Sequence, residues 1–274
     1  MPASRSTSER AVPIGFPCHL RAWRQRERIS QLELSLHAGV SQRHLSHLES
    51  GRSQPSRTMV LLLGQALRAP LREQNEALLA AGFAPAFHTS ELEKPNMAPV
   101  LEAVTHMLQH HEPYPAVAVD RAWNACRANR SFERLIALLR PAGPEATPPG
   151  TCNLMRLFFQ KNGIRPWVRN WDHVAPFLWQ RACREAEADG TGRVQAILDP
   201  LKEDLGTEPW VKAPRLDLLP VLPLILSRDG LTLSLFSVIA TFGTAQDVTT
   251  DELRIECFFP ADEASKALLE SMAG

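Results

Sequence analysis

The sequence has no C-x-x-C pair. Its five cysteines, Cys18, Cys126, Cys152, Cys183 and Cys257, are odd in number and far apart. That pattern argues against a secreted disulfide scaffold and against a structural zinc module. Long apolar runs are missing too. The longest are broken by Pro220, Pro223, Ser227 and Arg228, so none is expected to insert into a membrane. No signal peptide opens the chain, and a cytoplasmic protein is the expectation. The sequence also lacks a nucleophile elbow, a Gly-rich phosphate loop and a metalloprotease motif. His106, His110 and His111 give an i, i+4 pair with a neighbour, but no further ligand follows at metal-site spacing. No catalytic residue, metal or cofactor is therefore expected, and the chain does not read as an enzyme.

Lysine is absent from the first 90 residues, which carry eleven arginines against six carboxylates. The other 184 residues carry nineteen basic and twenty-four acidic side chains, so a net charge of zero hides a basic head and an acidic remainder. A basic head suits the dense negative charge of duplex DNA. At 274 residues the chain is long enough for two modest domains.

The stretch from Ser30 to Ser50 gives the head its character. Ser30 can cap a helix, and Glu33 stands at capping-box spacing from it. Gly39 can take the positive φ that ends the helix, and Ser41 can cap a second one running to about Ser50. Leu34, Ala38, Val40, Leu45 and Leu48 form one apolar set. Gln42, Arg43, Ser46 and His47 lie on the other side of the second helix, as base-reading residues of a helix-turn-helix would. Arginine can bridge guanine O6 and N7, and glutamine can bridge adenine N6 and N7. Arg21, Arg24, Gln31 and Arg52 flank this helix pair and are the candidate phosphate contacts. Double-stranded DNA is the expected partner. Half-site geometry predicts a homodimer on a two-fold operator.

Helix signals continue past Gly51, through Pro55-Ser56 and Pro70, to Gly82. The predicted head spans 17–83, a proline-bearing linker 84–99, and a second domain 100–274. Val100 to His110 reads as a helix, Pro115 to Val119 and Trp123 to Ala128 as strands, and His173 to Ala188 as a long helix with Pro176 in its first turn. Val221 to Ser227 and Leu231 to Phe242 are β-rich runs joined by Arg228-Asp229-Gly230, a hairpin signal. Leu253 to Phe259 and a closing helix follow. The fold class is α+β in two domains: an all-α head, then an antiparallel sheet of about five strands with helices on one side. Further helices are expected from Ser131 through Leu139, over Asn153 to Gln160 and over Val194 to Glu203, whereas residues 1 to 16, Pro141 to Gly150 and 204 to 217 are read as arm, loop and turn.

The second domain is rich in Trp, Phe and Leu. Trp123, Leu157, Phe158, Trp167, Trp171, Phe177, Leu235, Phe236, Ile239 and Phe242 are candidates to line a pocket for a small apolar ligand, with Arg156, Arg165 and Arg169 as carboxylate anchors. An ordinary core and solvated arginines account for the same residues.

The head resembles the Cro/XRE-type helix-turn-helix regulators over His19 to Phe83. The second domain resembles the ligand-binding domain of MmyB-like transcription regulators. HEPYPAVAVDRAWNACRAN from His111, NLMRLFF from Asn153, and DGLTLSLFSVIATFGTAQDVTTDELRIECFFPAD from Asp229 carry that resemblance. It implies a PAS-like fold for the second domain and a long-chain fatty acid as ligand. It matches Gln31 to a phosphate-contacting glutamine, and Gln42, Arg43, Ser46 and His47 to base-reading positions. Gly243, Thr244, Asp247 and Glu256 match recurrent polar positions with no assigned role. Three readings follow: a ligand-responsive DNA-binding regulator, a DNA-binding regulator whose second domain only dimerises, and an enzyme fused to a helix-turn-helix.

Overall fold

The computed structural model describes residues 15–139, 152–189, 192–206 and 220–273. The expected amino-terminal arm, except its last two residues, lies outside them, as do the Pro141 to Gly150 loop and most of the 204–217 turn. Two compact units are formed. The first comprises the described residues up to Ser90 together with Ala245–Asp251. The second comprises those from Glu91 to Thr244 and from Glu252 onward.

In the first unit five helices enclose one core: α1 (Phe16–Arg26), α2 (Gln31–Ala38), α3 (Gln42–Glu49), α4 (Arg57–Ala66) and α5 (Leu71–Ala80). The local signals of the helix pair act as the residues dictate. Ser30 and Glu33 complete a capping box, Gly39 turns at φ 64°, and the Ser41 hydroxyl accepts from the backbone N–H of His44. Phe16, Leu20, Trp23, Leu34, Leu45, Leu48 and Leu63 are almost fully buried. Two buried carboxylates tie the helices together. Glu49, at the end of α3, accepts from Arg24 Nε at 2.6 Å, from Arg24 Nη2 at 3.0 Å and from Gln31 Nε2 at 2.9 Å. Glu73, on α5, accepts from the Trp23 indole at 2.7 Å and from Arg26 at 3.0 Å. These bonds join α1 to α3 and α5 across the core.

The stretch expected to be a linker divides between the units. Residues up to Ser90 stay with the head, where the Asn75 amide oxygen accepts from the N–H groups of Ala86 and Phe87. Leu92 and Met97 are buried in the second unit. The head also takes in Ala245–Asp251, from far along the chain. The N–H of Val248 donates to the carbonyl of His88 at 2.8 Å, and the Thr249 hydroxyl donates to the carbonyl of Ser90 at 2.6 Å. The Asp247 carboxylate accepts from the N–H of Ser90. Asp251 accepts the N–H of Leu71 at 3.1 Å, satisfying a donor at the start of α5 that Pro70 does not cap.

In the second unit β1 (Ala116–Val119), β2 (Ala125–Ala128), β3 (Leu224–Arg228), β4 (Leu231–Thr241) and β5 (Arg254–Pro260) form an antiparallel sheet in the order β2-β1-β5-β4-β3. Asp229 and Gly230 make the β3–β4 turn with φ of 50° and 83°. The helices sit on both faces, where the sequence led us to expect one. On one face, α6 (Ala98–His110) covers Ala116, Ala118, Ile255 and Cys257. The other face carries Val117, Val119, Leu226, Leu233 and Leu235, under α7 (Arg130–Leu139), α8 (Leu154–Phe159), α9 (Trp171–Ala188) and α10 (Arg193–Leu205). The short helix α11 (Val248–Glu252), which belongs to the first unit up to Asp251, precedes β5 in the chain, and α12 (Glu263–Ala273) follows it. Helix α9 begins at Trp171, so Pro176 is its sixth residue and not in its first turn. The helix continues across it, although the carbonyl four residues back loses its partner.

A polar island lies within the larger face. Glu185 of α9 accepts from the Trp123 indole at 2.9 Å, from Arg181 at 3.1 Å and from Arg254 at 2.8 Å. Both guanidinium groups lie over the Trp123 ring, at 4.7 and 5.6 Å from its centroid. Glu256, two residues from Arg254 and so on the same face of β5, is buried and bonded to Ser237. Burial raises its pKa above the ordinary value, against the opposing pull of Ser237 and the two arginines. Glu49 behaves the other way. Burial would raise its pKa, but the bonds from Arg24 and Gln31 outweigh it, and the pKa is lowered.

These opposite shifts predict opposite pH effects. The carboxylate of Glu49 stabilises the fold above the ordinary value of 4.5, and that contribution is lost as pH falls below it through the folded value. Glu49→Gln should therefore flatten the acid limb of the head's stability curve. For Glu256 the contribution is full below 4.5 and is lost as pH rises towards the raised folded value. Glu256→Gln should leave the second unit as stable as the parent chain, or more stable, at neutral pH. Urea unfolding from pH 3 to 8, read by hydrogen exchange in each unit, checks both. A Glu256→Gln chain that is less stable at pH 7 overturns the second expectation.

Candidate functional site

Helix α3 presents the polar face of the head. Gln42, Arg43 and Ser46 are exposed, His47 is half-buried, and Leu45 and Leu48 on the reverse side are inaccessible. The four residues expected to read bases therefore share one side of a capped helix whose apolar side is locked into the core. The expected phosphate contacts divide. Arg52 is exposed just beyond the helix. Arg21 is exposed and donates to the backbone carbonyl of Glu49 at 3.1 Å. Arg24 and Gln31 both point donors at the Glu49 carboxylate, and Arg24 also donates to the carbonyl of Ile29 at 2.9 Å. Arg24 thus neutralises a buried carboxylate inside the head. Glu49 itself carried no signal in the sequence beyond its place at the end of a recognition helix.

The expected ligand residues divide along the sheet's alternation. Trp123, Phe158 and Leu235 are buried in the larger cluster, with Leu157, Trp167 and Trp171 packed against it. Ile239 pairs with Glu256 and shares the face of Leu235. Phe236 and Phe242 point to the opposite face, where Phe236 stacks on Phe259 at 5.7 Å and Phe242 packs with the α6 cluster. They do not share a lining with the others. Phe177 is 47 % exposed. Arg156 and Arg169 are exposed as well, leaving Arg165 as the one expected anchor in contact with the aromatic group.

The group that does converge lies beside β3. Phe158 stacks on Trp171 at 5.3 Å and 16°, and Phe159 meets Trp171 edge-on. The guanidinium of Arg165 lies 4.5 Å over the Trp171 ring, and that of Arg228 4.4 Å over Trp167. Arg165 and Trp167 belong to one 3-10 turn, Arg165–Trp167, and Val168 just after it bridges to Leu226 of β3. The indole N–H of Trp167 is buried and has no hydrogen-bond acceptor among the described residues.

Sequence reasoning missed the polar island of Arg181, Glu185 and Arg254. Its signals were present: Arg181 and Glu185 stand at i, i+4 on a helix, and Arg254 and Glu256 at i, i+2 on a strand. The island satisfies itself, since Glu185 accepts from both arginines. Asp120 does turn chemistry, accepting from the N–H and amide of Asn124. Burial first, and Asp120 second, push the Cys126 thiol up to about 11. No group of three potential metal ligands occurs among the described residues, and none of their helices is long and apolar enough to cross a membrane.

Two family models match the chain. One, described as helix-turn-helix, covers residues 20–74, and the other, the MmyB-like transcription regulator ligand binding domain, covers residues 100–272. A search of curated proteins finds no match. The capped recognition helix falls inside the first span, and the whole sheet with its two helical layers inside the second. The chain therefore belongs to the MmyB-like transcription regulators, DNA-binding proteins in which a helix-turn-helix head is joined to a ligand-binding domain.

Proposed function

We propose that the second domain senses an elongated apolar acid, such as a long-chain fatty acid, and that its occupancy controls operator binding by a homodimer. The observation that carries this reading is the buried indole N–H of Trp167, which has no acceptor among the described residues, in the same short turn as Arg165. A buried unmet donor costs roughly 1–3 kcal/mol, and a ligand carboxylate would supply the acceptor. Arg165 provides the charge a desolvated carboxylate needs. The half-buried Trp171, backed by Phe158, offers apolar surface, and each methylene buried there contributes roughly 0.8 kcal/mol. The island around Glu185 is a weaker anchor, because a ligand would have to displace a carboxylate already bonded there.

A second reading, dimerisation without a ligand, draws on the other sheet face. There Val238 is 51 % exposed at the middle of β4, beside the stacked Phe236 and Phe259. An apolar patch of that kind suits a second copy of the chain.

In the head, the reading assigns base recognition to Gln42, Arg43, Ser46 and His47, and phosphate contact to Arg52 with Arg21. It gives Arg24 and Gln31 a supporting task, holding α3 through Glu49. Arg43→Ala should cost about 1–3 kcal/mol at one operator position and relax preference there. Arg24→Met leaves Glu49 buried without its cation and should cost about 3–5 kcal/mol of head stability, lowering affinity for all sequences alike. Single-base operator panels and thermal unfolding separate the two. A sequence-selective loss in Arg24→Met would overturn its supporting role.

For the ligand, calorimetry on delipidated protein should show saturable binding of fatty acids that tightens with chain length. Arg165→Met and Trp167→Phe should weaken the acid more than the matching alcohol. Absence of binding at every length removes the lipid reading and leaves the dimerisation reading, which sedimentation of Val238→Asp then tests. Equal affinity with and without operator would remove the switch.

A further inference from the structure

Strand β2 is one edge of the sheet and β3 is the other. Beside β2 the end of α6, the Glu112-Pro113 turn and the start of α7 enclose a groove of about 630 Å³. Four strand spacings separate this edge from the aromatic turn at β3, roughly 19 Å. The groove has a charged wall and an apolar floor. Arg127 comes from β2, and Arg130 and Arg134 stand one helical turn apart on α7. Leu108, Pro113 and Ala128 supply the apolar surface.

One carboxylate, Glu112, shares the lining with the three arginines, so cations outnumber anions in it. Glu112 is turned onto the backbone of α7, where it accepts from the N–H of Ser131 at 3.3 Å and from its hydroxyl. Arg134 donates to the carbonyl of Met272 at 2.7 Å. Arg127 is 3.5 Å from Glu93, and both side chains are well exposed, so water screens the pair. The walls are braced by Asn129, which is buried. Its amide donates to the carbonyls of Leu108 and Tyr114, and its oxygen accepts from the N–H groups of Ala116 and Phe132. One side chain thereby fixes the end of α6, strand β1 and the start of α7 around the cavity, so little ordering is left for a ligand to drive.

We propose that this groove binds a small organic anion, a carboxylate or a phosphate monoester, whose apolar body rests on Leu108, Pro113 and Ala128. Guanidinium forks accept either head group. Like charges gathered in a concavity repel one another until an anion joins them. The volume falls in the range of small-molecule sites. The site is separate from the fatty-acid reading, in residues and in position.

Calorimetry on the full chain at low salt tests it, with phenyl phosphate, phenylacetate and benzyl alcohol as probes. One of the two anions should saturate at one per chain, and the alcohol should not bind. The preferred anion identifies the head group. Arg127→Ala and Arg130→Ala should each weaken that binding at least tenfold, with thermal unfolding confirming the fold. Arg165→Met should leave it unchanged, whereas long-chain acids should respond in the reverse pattern. No saturation by either anion at about 10 mM, tenfold above a millimolar Kd, overturns the proposal. Binding that is indifferent to both arginine substitutions overturns it as well.

Discussion

A buried carboxylate needs a cation or a full set of donors, and in the head that requirement fixes the recognition helix. Glu49 terminates α3 inside the core, and Arg24 and Gln31 close on it from α1 and α2. Glu73 repeats the device with Trp23 and Arg26. Removing one member of such a set exposes the cost of the other, whereas an apolar replacement of the whole set would cost little. The geometry is directional in a way that apolar packing is not. It sets how far α3 is rotated, and hence which side of it carries Gln42, Arg43 and Ser46 to the surface.

In the second unit the corresponding constraint is the two-residue period of a strand. It sends Leu235 and Ile239 to one side of β4, and Phe236 and Phe242 to the other. It also puts Arg254 and Glu256 together beneath α9. The island they form with Arg181 and Glu185 is internally matched, which makes it a structural element within a face otherwise built from aromatic and aliphatic groups. The indole N–H of Trp167 is not matched in this way among the described residues, and that difference separates a candidate anchor from a structural charge cluster.

What the sequence made legible was what is local. Ser30 with Glu33, Gly39, Ser41 and the Asp229-Gly230 turn each act within a few residues of themselves, and the helix pair and the hairpin were readable from them. Arg24 was not, because its partner lies 25 residues away and an arginine beside a recognition helix looks the same whether it faces DNA or a buried acid. The mixed lining set had a different cause. Aromatic composition does not distinguish the two sides of a strand, whereas the spacing of positions 235, 236, 239 and 242 does. The second helical layer was hidden because α6 precedes the sheet in sequence, and its apolar residues do not name the face they cover. The groove beside β2 is assembled from three elements whose proximity only the fold provides.

The segment Ala245–Asp251 gives the head an unusual relation to chain order. It completes the start of α5 and pairs with His88, yet it lies between β4 and β5. During synthesis the amino-terminal helices emerge first, but Asp251 arrives only after most of the second unit has been made. The DNA-binding unit is therefore completed only after most of the second unit has been made, with β5 and α12 still to follow. A head cut out at Ser90 would be a different object from the head of the whole chain, short of the carboxylate that satisfies Leu71. The boundary between the reader of DNA and the rest of the protein is thus not a single point on the chain.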